Sequence, residues 1–255
     1  MKKGWLHKNL YGDVFSAVGK NLPLVGGTVL LDILFFFVLY FLQRSMSALV
    51  PSLPASGGIA LSFSVIAVML LDFFIVLFLY SLFKYSVLHL IRKMEKNSEL
   101  DFRMLSRFYG MNLLLMAIFM AVYLAIGGIL QSGLRPEFLQ IMAIVLSVIF
   151  FLFTYTWLNI AHSLFAASWK TEGVLRKSLS ILFRKIPFYA SVFVFSIAVL
   201  LGFGIAYYLA GMGLQKFGGD VQIFVQIFTV LNVIVFYGLL VLNRIGFYRS
   251  LSKGE

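Results

Sequence analysis

Long uninterrupted apolar runs dominate this chain, without the alternation that marks half-buried strands. Six runs reach about 20 residues, the length that crosses about 30 Å of hydrocarbon. They fall at 24–42, 59–83, 111–130, 138–167, 188–213 and 222–242. The fourth and fifth exceed the minimum, which permits tilt without fixing an angle. Three further stretches carry apolar residues at helical spacing opposite basic ones. In 9–22, Leu10, Val14, Val18 and Leu22 share a face, while Asn9, Asp13, Ser16 and Lys20 look away. In 174–186, Leu175, Leu179, Leu182 and Ile186 oppose Arg176, Lys177, Arg184 and Lys185, and within 84–110 Val87, Leu88, Ile91 and Met94 oppose Lys84, Arg92, Lys93 and Lys96. Such stretches either lie in the membrane interface or simply extend neighbouring helices. Pro23 and Pro187 stand where the first and last of them would turn into the bilayer, since proline starts a helix well and disfavours helical geometry just before it. The pattern predicts an all-α polytopic membrane protein over 1–255, with six transmembrane helices as three sequential hairpins and basic amphipathic cytoplasmic elements.

Composition agrees with that class. Of 255 residues 61% are apolar and 12% charged, against about 45–50% and about 25% in a soluble domain. Basic residues alternate in density from one connection to the next. Eighteen Lys and Arg lie with the termini and three opposite, and such a bias sets orientation. Both termini are therefore expected in the cytoplasm, in a cell-membrane protein whose charge of +11 meets anionic lipid headgroups. No basic–aromatic recognition motif points to nucleic acid. The first apolar run begins at Leu24 without a cleavage site behind it, so the first helix is expected to be retained. With no cysteine, iron–sulfur clusters, thiolate zinc sites and cysteine nucleophiles are excluded.

Phe83, Phe165 and Phe247 recur every 82 residues, as do Ser86, Ser168 and Ser250, and Pro23 precedes Pro187 by two such periods. Three parallel repeats near 9–89, 91–171 and 173–253 would account for this. Coincidence in a Phe- and Ser-rich chain is the alternative, and Leu105 stands where the other copies have proline. The unit of serine, basic residue, proline and hydrophobic hairpin is seen as Ser16-Ala17-Val18-Gly19-Lys20-Asn21-Leu22-Pro23 and Ser180-Ile181-Leu182-Phe183-Arg184-Lys185-Ile186-Pro187. In this the chain resembles uncharacterised six-helix membrane families related to the membrane domain fused to some glycerophosphodiester phosphodiesterases. The soluble phosphodiesterase part is absent, so the resemblance implies a membrane fold and no catalytic residues.

Within the six runs there is no Lys, Arg or Glu, which makes Asp32 and Asp72 conspicuous. A carboxylate at a helix centre opposes insertion by about 2.5–3.5 kcal/mol. Counted inward from Leu24 and Phe83, the two reach similar depths, and Asn232 a comparable one, so the three could meet as a proton or small-cation site. Structural hydrogen bonding between helices is the alternative. A second polar group, Tyr155, Asn159 and His162, lines one face near the end of the fourth run, suited either to interhelical hydrogen bonds or to substrate contact. Lys20, Arg184 and Lys185 are the expected headgroup contacts. No metal-ligand spacing, phosphate-binding loop or nucleophile elbow occurs, so no cofactor is called for and a non-enzymatic role is expected. Two functions stay open: transport or permeation through a midplane proton or cation site, and a membrane-organising scaffold that binds anionic lipids or a cytoplasmic protein partner.

Overall fold

The computed structural model describes residues 10–49, 59–95, 99, 101–133, 136–168, 171, 173–184, 186–217 and 220–252. Among them lie eight helices and no strand: α1 (Leu10–Lys20), α2 (Leu22–Leu49), α3 (Ile59–Lys93), α4 (Arg103–Gly133), α5 (Pro136–Ser168), α6 (Val174–Arg184), α7 (Ile186–Phe217) and α8 (Val221–Ser252). All but α1 and α6 are long and apolar enough to cross a membrane. In none of the six is more than 22% of the most apolar 18-residue window buried. Apolar surface on that scale is matched by lipid, not by a protein core. The chain is a multi-pass membrane protein.

Local chemistry explains where the helices start and stop. Pro23 has no N–H to continue α1 into α2, and the break falls at Asn21, whose side-chain amide donates to the Ala17 carbonyl at 3.0 Å. Asp101 accepts from the Arg103 N–H at 2.9 Å and starts α4, as Asp220 starts α8 by accepting from the Gln222 N–H at 2.7 Å; each is an N-cap. Gly173, at φ 70°, makes the left-handed turn into α6.

The span helices are longer than the apolar runs suggest, most of all α3, α4 and α8. No glycine or proline interrupts 60–93, so α3 continues ten residues past Phe83 and carries Lys84 with it. Val87, Leu88 and Ile91 are buried on this extension, and no separate interfacial helix forms there. Likewise α8 continues past Leu242 to Ser252, taking in Arg244, and α4 begins before Met111.

The core sits at one end of the bundle, where α1 and α6 lie. Phe108, Phe165, Phe247, Ile160, Ile245 and Tyr248 are buried there. The opposite halves of the hairpins expose Phe37, Phe63, Phe151, Tyr208 and Ile234. Helix α5 is central and packs against α3, α4, α6 and α8. Polar ties fasten this end. Arg249 on α8 meets Glu95 beyond α3 at 2.7 Å and donates to the Asp13 carbonyl of α1. Trp157 on α5 donates to Ser178 on α6 at 2.8 Å, and Tyr11 on α1 donates to Asn243 on α8 at 3.1 Å.

The inward faces of the short helices are turned slightly from those expected. On α1 Val14 and Ala17 are buried and Leu22, just beyond, is exposed; on α6 Val174, Ser178, Ile181 and Leu182 are buried. Protein contacts with α8 and α5 occupy these faces. Of the paired glycines inside the spans, Gly27 alone lies in a close approach, since a Cβ there would meet Leu90 of α3 at 3.1 Å, whereas Gly127, Gly128, Gly202 and Gly204 meet nothing within 4 Å.

Candidate functional site

Four helices line a partly open cavity of about 240 Å³ near the packed end. Helix α2 contributes Asp32, Phe35 and Phe36; α3 gives Tyr80, Phe83 and Lys84; α5 gives Tyr155, Leu158, Asn159 and His162; α8 gives Leu240 and Arg244. The register of α2 against α3 places these side chains together. These helices run antiparallel, with the Phe35 ring 5.6 Å from Phe83 and Gln43 3.2 Å from Asp72. At about 1.5 Å per residue, Asp32, Lys84, His162 and Arg244 all lie about 9–15 Å from the packed-end termini of their helices.

One acid faces two bases. The Asp32 carboxylate accepts from the Arg244 guanidinium at 2.5 Å and from the Tyr237 hydroxyl at 2.7 Å. The pair is largely removed from solvent, with 21% and 12% of the Arg244 and Asp32 side chains exposed. Lys84 lines the same cavity and makes no hydrogen bond or ion pair among the described residues. Asp32 hydrogen-bonds Arg244, and the cavity lining holds two basic side chains, Lys84 and Arg244, against one carboxylate.

A hydrogen-bonded chain fixes how His162 faces this space. Ser81 donates its hydroxyl proton to the Leu77 carbonyl at 2.8 Å, so the same oxygen accepts from the Asn112 amide nitrogen at 2.9 Å. The Asn112 carbonyl oxygen is then directed at His162 Nε2, 2.7 Å away. That nitrogen must carry the proton, which leaves Nδ1 with a lone pair. The imidazole is 1% exposed, sits 5.0 Å from the Phe108 ring, and its Nδ1 has no partner.

Compared with known proteins, the chain matches no family model, no curated protein and no solved structure.

The sites expected from the sequence are rearranged in three ways. Asp32 and Asp72 do not meet, because Asp72 stands level with Gln43, about 16 Å along α2 from Asp32. Depth counted from Phe83 misplaces Asp72 because α3 runs on to Lys93, which sets Asp72 further from the packed end. Asn232 does not join them either; it is exposed on α8, while Tyr237 and Arg244 take its expected place beside Asp32. By contrast Tyr155, Asn159 and His162 do share a surface, and Asp32 alone of the first group lines it with them. Asn159 also donates to the Tyr155 carbonyl at 2.8 Å. Lys20 and Arg184 are exposed on α1 and α6, and Lys185 lies outside the described residues. Among the described residues no three His, Asp or Glu are grouped to hold a metal.

Sequence reasoning missed Lys84, Arg244, Tyr80 and Tyr237. A signal for two of them was present: Tyr80, His162 and Arg244 stand 82 residues apart, and all three line the cavity.

Proposed function

We propose that this chain is a multi-pass membrane protein that binds an anionic ligand in the cavity holding Asp32, Lys84, His162 and Arg244, and that it does so without covalent chemistry. The carrying observation is Lys84. Lys84 and Arg244 share a single carboxylate, Asp32, which hydrogen-bonds Arg244; a second basic side chain inside a span without an acid of its own is costly, and a ligand anion between Lys84 and Arg244 completes the charge balance. Arg244 keeps guanidinium N–H groups beyond the one given to Asp32, and Tyr80 borders the same space. The sign of the site differs from the proton or cation site expected from composition, because the extended α3 and α8 bring bases to an acid.

The 82-residue recurrence fits this reading. The limits of α1 and α6 are displaced by 164 residues, as are the starts of α2 and α7, which is two such periods. Three units, each giving one of Tyr80, His162 and Arg244, would place a ligand site near their shared axis. The 18 basic residues on one side support a cytoplasmic location for the packed end. A second reading, a scaffold held against anionic lipids, is favoured by exposed Lys20, Arg176 and Arg184 at this same end.

Inorganic phosphate titrated into the protein in phosphatidylcholine nanodiscs tests the leading reading. It should raise the unfolding temperature more than chloride at equal ionic strength. Lys84→Gln should weaken the response at least tenfold, and Lys216→Gln at the opposite end should leave it unchanged. No response, or an undiminished one in Lys84→Gln, overturns the proposal.

A further inference from the structure

A second, apolar cavity of about 330 Å³ adjoins the polar one. The two share Phe35, Tyr80 and Leu158. Beyond those residues it is lined by Phe73, Val76, Leu77, Met116 and Phe119, with Asn112 as its remaining polar group. The His162–Asn112 hydrogen bond marks the boundary, His162 facing the polar cavity and Asn112 the apolar one. Apolar lining with a few converging polar groups is the usual make-up of a ligand site, and the apolar cavity alone reaches the volume of such sites, about 300–1,000 Å³.

We propose that the ligand of this site is an anionic lipid phosphate, its headgroup between Lys84 and Arg244 and one acyl chain in the apolar cavity. The inference rests on the anion reading above and gives it a chemical class.

Three observations carry it. The first is direction. Lys84 and Phe73 lie on the same helix, and eleven residues of α3 separate them by about 16 Å, close to half of the about 30 Å hydrocarbon core. A chain that starts at Lys84 and ends at Phe73 therefore has the length and orientation of one leaflet's acyl chain, with its headgroup at the packed end. The second is the division of polarity: bases and hydrogen-bonding groups line one of two adjoining cavities and aliphatic and aromatic side chains the other. The third is His162 Nδ1, a buried lone pair without a partner, on a residue that lines the polar cavity. A lone pair needs a donor, which a glycerol hydroxyl of a phosphate headgroup offers and a fatty-acid carboxylate does not.

Binding of 1-oleoyl lysophosphatidic acid to the full chain in neutral detergent, followed by native mass spectrometry and thermal unfolding, tests this. Lysophosphatidylcholine, with the same chain and a choline-capped phosphate, is the comparison, and inorganic phosphate is the headgroup alone. Lysophosphatidic acid should bind at least tenfold tighter than lysophosphatidylcholine and at least 100-fold tighter than phosphate. Met116→Trp, which fills the apolar cavity, should remove the advantage over phosphate and leave the phosphate response intact; Val76→Phe is the second filling variant should Met116→Trp fail to fold. Lys84→Gln should weaken both ligands. If phosphate binds in a Lys84-dependent way but the chain adds nothing, or the filling variants change nothing, the lipid assignment is overturned and the anion reading stands. If no ligand depends on Lys84, both fall.

Discussion

At the scale of single residues, Asp32 and Asp72 look alike in the sequence and differ in the structure because of their partners. Asp32 is held by Arg244 and Tyr237 away from solvent, whereas Asp72 meets Gln43 in an exposed setting. Removing one member of a buried pair leaves the other uncompensated, at a cost of about 3–5 kcal/mol. Asp32→Leu and Arg244→Leu should therefore each lower stability by about that amount. The double variant should recover most of the loss, read by denaturant or thermal unfolding in one detergent. Asp72→Asn should stay within about 0.5 kcal/mol of the parent. Equal losses at Asp32 and Asp72 would contradict these assignments. The chemistry of Tyr155, Asn159 and His162 was legible in the sequence because three positions on one helix have a fixed geometry. The Asp32–Arg244 pair, 212 residues apart, was not, because it depends on how α2 and α8 come together.

Among the elements, helix existence was legible and helix ends were not. Apolar runs identify the six spans, but a run stops at the first charge, and charged side chains pass inside a span once they are paired or open to a cavity. For that reason Lys84 and Arg244 fall outside the apolar runs although they lie within α3 and α8. The short helices depend on discrete contacts with α5 and α8. On α6, Ser178 accepts from the Trp157 indole and is itself fully buried. Ser178→Ala leaves that N–H without a partner, which should cost about 1–3 kcal/mol and should open α6 before the spans unfold. Proteolysis within 169–185 measures this, and cleavage no faster than in the parent would show that α6 is held by its apolar face alone. Tyr11 provides the corresponding tie on α1, its one hydroxyl proton shared between Asn243 Oδ1 at 3.1 Å and the Val192 carbonyl at 3.2 Å; burial pushes its hydroxyl above the ordinary tyrosine range, so it stays a donor at neutral pH.

For the molecule as a whole, an unequal distribution of packing is the organising feature. Large buried side chains, interhelical hydrogen bonds and the polar cavity gather at the end bearing α1 and α6, and the far halves of the hairpins present apolar surface. Placing the packed end in the cytoplasm makes a topological prediction. Single cysteines at Ser52 and Gly218, introduced into this cysteine-free chain, should react with an impermeant thiol reagent from outside the cell, and a cysteine at Lys20 should not. The reverse pattern would invert the orientation and place the site in the other leaflet. The central claim is that the cavity between α2, α3, α5 and α8 holds an anionic headgroup, and cryo-electron microscopy of the protein in nanodiscs containing lysophosphatidic acid tests it most directly. The account predicts density joining Lys84 Nζ to the Arg244 guanidinium and continuing along α3 toward Phe73; an empty cavity with lipid density only on the outer surface of the bundle would contradict it.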